Sequence, residues 1–243
     1  ERLVCQKASA TVAVSDLDRQ AIARLAPGVQ PLVVPNGVDT RSYRTDLPDT
    51  LPLRHPNVVF TGKMDFRPNV DAMRWFCAQV WPAVRAQLPG VHLYIVGQQP
   101  HPEILRLGAE PDITVTGYVP EILPYFGGAD VYIVPLRIGG GTRLKVLEAM
   151  AAGLPLVSTH LGAEGIPLVH GEQALLADTP EEFAQAVLSL LRDRTRAAAL
   201  GRAARAFVTA RYAWPSLTPP LLTLYARLMS GGNAVVDVAP VIG

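Results

Sequence analysis

The sequence has 243 residues and only two cysteines, Cys5 and Cys77. They lie far apart, so neither a disulfide framework nor a cysteine metal site is expected. Charge is scarce as well: charged residues make up 18%, with 22 lysines and arginines against 21 aspartates and glutamates, a net charge of +1. That balance gives no long-range field for nucleic acid, and no zinc-finger, basic-run or aromatic-stacking pattern replaces it. No nucleic-acid partner is expected. No apolar run approaches the roughly 20 residues that cross a bilayer, and the first residues lack a signal peptide's charged and apolar order. A reducing cytoplasm is the simplest setting. Metal-ligand spacing is missing around His101, His160 and His170, while His92 falls inside a predicted strand and reads as a structural histidine.

Apolar residues, at 49%, are plentiful. They suffice for one full domain with smaller pieces attached. The chain is organised around Gly139-Gly140-Gly141-Thr142-Arg143-Leu144-Lys145-Val146-Leu147-Glu148-Ala149-Met150. Before it, Asp130 to Leu136 is a short apolar run with β-branched residues, as in a parallel strand covered on both faces. After it, Leu144, Leu147, Met150 and Ala151 recur at helical spacing. The glycines let a ligand approach the backbone, and the first amide groups of the helix face that ligand, an arrangement suited to an anion. Lys145 and Glu148 share one side of the helix. With a diphosphate at the turn, Lys145 counters its charge and Glu148 accepts bonds from sugar hydroxyls. An ordinary ion pair beside a plain chain turn explains the same residues and stays open here.

Two better-known phosphate signatures are absent. Lys145 stands between Leu144 and Val146, so there is no Gly-Lys-Ser/Thr; the third glycine of the dinucleotide pattern is replaced by Leu144.

The run from Glu148 through Ala149-Met150-Ala151-Ala152-Gly153-Leu154-Pro155 resembles the signature of the retaining family-4 glycosyltransferases of the GT-B fold. In most of that family an earlier Glu that contacts the donor sugar occupies the position of Gly140; the Gly-Gly-Gly-Thr-Arg-Leu-Lys variant resembles a subgroup. The resemblance implies a nucleoside-diphosphate-sugar donor, used as substrate with no cofactor. Gly140, Gly141, Thr142, Arg143 and Leu144 would line the donor site. Lys63, Lys145 and Glu148 would carry the catalytic electrostatics.

Read in order, Ala10 to Val14 is a strand, Ser15-Asp16 caps a helix to about Leu25 with Ala21, Ile22 and Leu25 as its apolar side, and Leu32 to Val34 is a strand. Pro35-Asn36-Gly37-Val38-Asp39 resembles the family's crossover between its two domains. Residues 1–36 are therefore expected to be a remnant of an acceptor-binding N-terminal domain whose bulk is missing. Residues 37–212 would form the donor domain, 213–230 a crossing helix and 231–243 a loose tail. Arg44 to Pro56 reads as an exposed linker. A second strand-glycine-helix unit follows, with Gly62 and a helix from about Asn69 to Leu88 whose inward residues are Val70, Met73, Phe76, Cys77, Val80 and Val84. The family places one basic residue after this glycine, matched by Lys63, and another near Arg67, where Pro68 holds the aligned position. Trp75 and Trp81 read as core. Gly117, Tyr118 and Val119 match the loop that holds the base, and Glu164 lies in the loop that closes over the donor. Thr179-Pro180-Glu181-Glu182 is a helix start. Arg192, Arg194, Arg196, Arg202, Arg205 and Arg211 form a basic stretch that reads as a solvated face, with peripheral attachment at the inner membrane face as the alternative.

The expected fold is α/β, a doubly wound, Rossmann-like parallel sheet matching the C-terminal GT-B domain. The expected function is the donor-binding half of a retaining glycosyltransferase that serves an unidentified acceptor, a glycan or lipid-linked glycan, and is inactive without the missing domain. A non-catalytic nucleotide-binding module and a sugar-nucleotide epimerase remain alternatives.

Overall fold

The computed structural model describes residues 1–141 and 143–230. Thr142 and the expected tail from Gly231 to Gly243 lie outside the described residues. The chain begins with α1 (Arg2–Lys7), β1 (Val12–Ala13), α2 (Asp16–Leu25) and β2 (Leu32–Val33). β1 and β2 form a separate two-stranded parallel sheet. Ser15 caps α2, its hydroxyl accepting from the Asp18 amide at 3.1 Å.

The main unit runs through β3 (Asn57–Thr61), α3 (Arg67–Trp75), a π-helical turn (Phe76–Val80), α4 (Trp81–Gln87), β4 (His92–Val96), α5 (Pro102–Leu107) and β5 (Ile113–Val115). It continues with α6 (Leu123–Gly127), β6 (Val131–Val134), α7 (Leu144–Ala151), β7 (Leu156–Ser158), a 3₁₀ turn (Leu161–Ala163), β8 (Leu175–Leu176), α8 (Pro180–Arg192), α9 (Arg194–Tyr212) and α10 (Trp214–Met229). Its six strands are all parallel, in the order β5-β4-β3-β6-β7-β8. Strand order runs outward in both directions from the β3–β6 pair, so right-handed crossovers put helices on opposite faces. Every residue of β3, β4, β6 and β7 is buried, as a sheet covered on both sides requires. Between sheet and helices, Phe183 on α8 meets Trp75 and Phe76 edge-on, with centroids 5.7 and 5.8 Å away. Each such buried ring contributes about 1.5–3 kcal/mol by leaving water.

Several expectations hold. Trp75 and Trp81 are core residues, and Thr179 caps α8 through the Glu182 amide. His92 is buried, its Nε2 2.8 Å from the Thr114 hydroxyl.

Others need correction. The single helix expected from Asn69 to Leu88 is α3, the π turn and α4, starting at Arg67. Pro82 is the cause: with no N–H it cannot continue the i→i−4 ladder, and the widened turn before it absorbs the lost bond. The apolar side of α2 is only partly covered: none of its residues is buried, Ile22 is half-buried and Leu25 is exposed, because only the short β1, β2 and α1 pack against the helix among the described residues. The linker from Arg44 to Pro56 is largely exposed yet fastened. Leu47 and Leu53 pack on the core, and a Cβ on Gly127 would lie 2.5 Å from the Pro48 carbonyl oxygen. Nor is the basic stretch of α9 wholly solvated: the Arg205 guanidinium donates to the carbonyls of Tyr43 (2.6 Å), Thr40 (2.8 Å) and Ala151.

Candidate functional site

The direction of strand order reverses between β3 and β6, and open α/β sheets bind ligands in the crevice at the carboxyl ends of such strands. The segment from Gly62 to Phe66 after β3, with Asn69 in the first turn of α3, forms one wall, and the loop from Leu136 to Gly141 after β6 forms the other.

The first wall is built by close backbone approach. A Cβ on Gly97, at the end of β4, would stand 1.7 Å from the Gly62 carbonyl oxygen, and Gly97 has φ +147. Only glycine lets these strand ends lie together. Asn69, 5% exposed, closes the loop by donating its side-chain amide to the Lys63 carbonyl at 2.8 Å. On the second wall, Gly139 and Gly141 adopt φ +111 and +86, values that disfavour any residue with a Cβ. Arg137 anchors the approach to this turn. Its Nη2 and Nε meet both oxygens of Asp71 on α3 at 2.8 and 3.2 Å, and its guanidinium lies over Trp75.

Lys145 crosses the crevice. Its Nζ donates to the Thr61 carbonyl and to Asn69 Oδ1, both at 2.8 Å, and sits 4.1 Å from the Phe60 ring centroid. Burial pulls its pKa down to about 7; the Glu148 carboxylate pulls it back up and Arg143 pushes it further down. Glu148, one turn along α7, is half-buried. Burial raises its pKa, while the Tyr43 hydroxyl and the charge of Lys145 act in the opposite direction. The simple ion pair between Lys145 and Glu148 is not formed; the lysine is committed to β3 and α3, and the carboxylate to Tyr43.

The remaining candidates are distributed around this centre. Lys63 is exposed and pairs with Asp65 at 3.3 Å, and Arg67 is exposed at the start of α3. Gly117 (φ +68) ends the edge strand β5; Tyr118 beside it is 71% exposed and Val119 packs on the core. Gly140 faces open space, and Leu144 is exposed at the first turn of α7. Arg143 is buried under the 3₁₀ turn, donating to the Gly140 carbonyl (2.8 Å) and, at 3.4 Å, to that of Leu161; Glu164 Oε2 stands 3.9 Å from its Nη2. The structure thus joins Gly62, Lys145 and Glu148 in one cluster and sets Arg143 and Glu164 beside it, while the Lys63 ammonium turns to Asp65.

Sequence reasoning misses Asn69 and Tyr43, while the strand ending in Gly97 is expected to carry a binding loop. A glycine directly after each of two adjacent strands, Gly62 and Gly97, is the available signal for the first wall. Nothing local marks Tyr43, since its role depends on a loop folding back over more than a hundred residues of sequence. Chemically, left-handed glycines at a helix start, a buried cation and a half-buried carboxylate can hold an anionic, hydroxyl-bearing ligand.

Residues 55–193, more than half of the chain, match the family model described as glycosyl transferases group 1. Among curated proteins, the chain is 32% identical over 210 residues to a GDP-mannose-dependent alpha-(1-6)-phosphatidylinositol monomannoside mannosyltransferase of Mycobacterium tuberculosis, covering 77% of this chain and 54% of that protein. It is 29% identical over 243 residues to a phosphatidyl-myo-inositol mannosyltransferase of Mycolicibacterium smegmatis, covering 96% and 61%. The chain therefore spans little more than half the length of these relatives. Sucrose-phosphate synthase from Thermosynechococcus elongatus superimposes with a TM-score of 0.73 at 21% identity, over 95% of this chain and 61% of that one. An Anabaena protein solved in complex with UDP and glucose gives 0.72 at 20%, over 92% and 64%. Both structural likenesses establish the shared fold.

Proposed function

Because the chain belongs to the group 1 glycosyl transferases, we propose that it is the donor-binding half of a retaining, family-4-type enzyme that moves a sugar from a nucleoside diphosphate to an acceptor. The observation that carries this reading is Lys145, which bridges the two glycine-bearing walls of the β3–β6 crevice and makes one cationic pocket of them. The main-chain amides of the glycine turn, with Lys145 and Lys63, stabilise charge growing on the departing diphosphate, a preorganised electrostatic contribution. Glu148 takes the ribose hydroxyls. The loop at Tyr118 holds the base. No protein nucleophile is required of this half. Residues 1–36 belong to the acceptor-binding domain, 37–212 to the donor domain and 213–230 to the returning helix. The acceptor, a glycan or a lipid-linked glycan, is oriented by the other domain. No helix among the described residues is long and apolar enough to cross a membrane, and a lipid-linked acceptor is reached from the membrane's inner face.

The test is a thermal-shift titration with UDP, GDP and ADP, followed by donor turnover with GDP-mannose first, the donor named for the mycobacterial relative. A nucleoside diphosphate should raise the melting temperature by mass action, and the bare nucleoside much less. No response to any of the three would remove the donor-site assignment; sugar transfer by this chain alone would remove the two-half reading.

A further inference from the structure

The glycine turn that opens α7 has little packing of its own: a Cβ on Gly140 or on Gly141 would meet nothing within 4 Å among the described residues. A backbone that offers amides to an anion binds it more tightly when its shape is set beforehand, because less ordering accompanies the ligand. The ends of the turn supply that order. At one end the Arg143 guanidinium donates to the Gly140 carbonyl at 2.8 Å. At the other end Arg137 reaches across to α3, where both Asp71 oxygens accept from it, one from Nη2 at 2.8 Å and one from Nε at 3.2 Å. Its guanidinium carbon lies 5.5 Å from the centroid of the Trp75 ring. Gly139 adds a third contact with the same helix, since a Cβ there would lie 3.2 Å from Pro68 Cγ. Pro68, Asp71 and Trp75 stand at i, i+3 and i+7, on one face of α3. That face is a bed for residues 137–139, on the helix that also supplies Asn69 to Lys145.

We propose that Arg137 is a positioning residue for the anion site: through Asp71 it fixes the glycine turn against α3, so that the main-chain amides of the turn are preset for a diphosphate. This rests on the donor-site reading above. An exposed ion pair by itself adds little to stability. This pair has the stronger geometry, with two parallel N–H···O bonds to a carboxylate that is 28% exposed and an aromatic ring against the guanidinium plane. Arg137 and Asp71 act as a unit, and the sign of their charges separates positioning from attraction. By field alone, removing Asp71 would strengthen the binding of an anion and removing Arg137 would weaken it. If the pair sets the turn, removing either partner weakens binding.

The experiment is calorimetry on this chain with UDP, GDP and ADP and with inorganic pyrophosphate, which carries the anion without base or sugar. The forms compared are the wild type, Arg137→Met, Arg137→Lys, Asp71→Ala, and Arg137→Met combined with Asp71→Ala. Arg137→Met and Asp71→Ala should each lose about three- to tenfold in affinity, by the same factor for pyrophosphate and for the nucleoside diphosphates. The double variant should bind no more weakly than Arg137→Met, because one pair is lost in each case. Arg137→Lys keeps the charge but not the fork or the flat face, and should still lose about threefold. An Asp71→Ala variant that binds as tightly as the wild type or tighter would overturn the inference and leave the donor site standing. So would losses that add in the double variant, or a loss confined to the nucleoside diphosphates. A wild type that binds neither pyrophosphate nor any nucleoside diphosphate would overturn the donor-site reading, and this inference with it. Should Asp71→Ala or Arg137→Met fail to fold, Arg137→Lys decides: wild-type affinity for pyrophosphate in that variant would show that charge alone suffices.

Discussion

The Lys145 ammonium and the Asn69 side-chain oxygen lie 2.8 Å apart, joining the helix that follows β6 to the helix that follows β3. The same asparagine holds the Lys63 carbonyl through its amide, so one buried polar side chain sets both the shape of the first loop and the position of the cation. Removing it leaves the lysine bonded to Thr61 alone.

Lys145 should make both stability and binding pH-dependent. An ordinary lysine titrates at 10.5, whereas burial brings this one to about 7, so from about pH 7 to 10.5 the unfolded chain holds more of this proton than the folded chain. On this group's account the fold gains stability as pH rises through that window, because the penalty for burying the charge disappears. Diphosphate binding runs the other way, since it needs the protonated form. Diphosphate affinity should fall by about 25-fold from pH 6.5 to 8.5, the drop in the protonated fraction of a group titrating at about 7, and the fall should vanish in Lys145→Met. Calorimetry at several pH values checks this; the same slope in the variant would exclude Lys145 as the source.

Glu148→Ala should weaken diphosphonucleoside binding by about 1.5–3 kcal/mol, or ten- to a hundredfold, through lost bonds to hydroxyls. The 2′,3′-dideoxy analogue should bind both proteins about equally. If the variant titrates like the wild type, the carboxylate is not a ligand contact.

Arg205→Met should lower stability by about 1–3 kcal/mol, because three carbonyls on two segments lose one shared donor. For a chain of this size that corresponds to about 2–4 °C in melting temperature per kcal/mol. Urea denaturation followed by circular dichroism measures it, and an unshifted midpoint would show that water replaces the guanidinium without loss.

Gly97→Ala and Gly140→Ala should separate cleanly. The first drives a methyl group to within 1.7 Å of the Gly62 oxygen and should both destabilise the chain, by about 2–4 kcal/mol, and abolish diphosphate binding by parting the strand ends. The second points into open space without a left-handed φ and should keep stability within about 0.5 kcal/mol. Melting curves of the two variants suffice.

The sheet was readable because its signals are local. Valine- and isoleucine-rich runs ending in glycine, as at Thr61-Gly62 and Val96-Gly97, mark buried parallel strands, and the Thr179 cap with Pro180 marks a helix start. The broken helix was not readable, because Pro82 looks tolerable at the level of apolar spacing and its missing donor matters only when the backbone ladder is followed. At the site, the residue types of Lys145 and Glu148 were legible from their spacing on one helix. Their partners were not. Asn69, Tyr43 and Thr61 come from other segments, and a side chain that bonds a distant carbonyl leaves no periodic trace. The partly covered apolar side of α2 shows the converse: helical periodicity predicts an apolar face without saying what covers it.

Val38, at the entry to the main unit, takes the place of a strand beside the far end of the chain: its amide donates to the Tyr212 carbonyl at 2.8 Å, it bridges Ala213, and Gly37 lies so close to Trp214 that a Cβ there would be 2.7 Å from the indole. The segment leading out of the small β1–β2 unit and the segment leading into α10 are thus clasped at one spot. Displacing either segment without the other would break the Val38–Tyr212 bond and part Gly37 from the Trp214 indole, so the two connections are held to one position by one set of contacts.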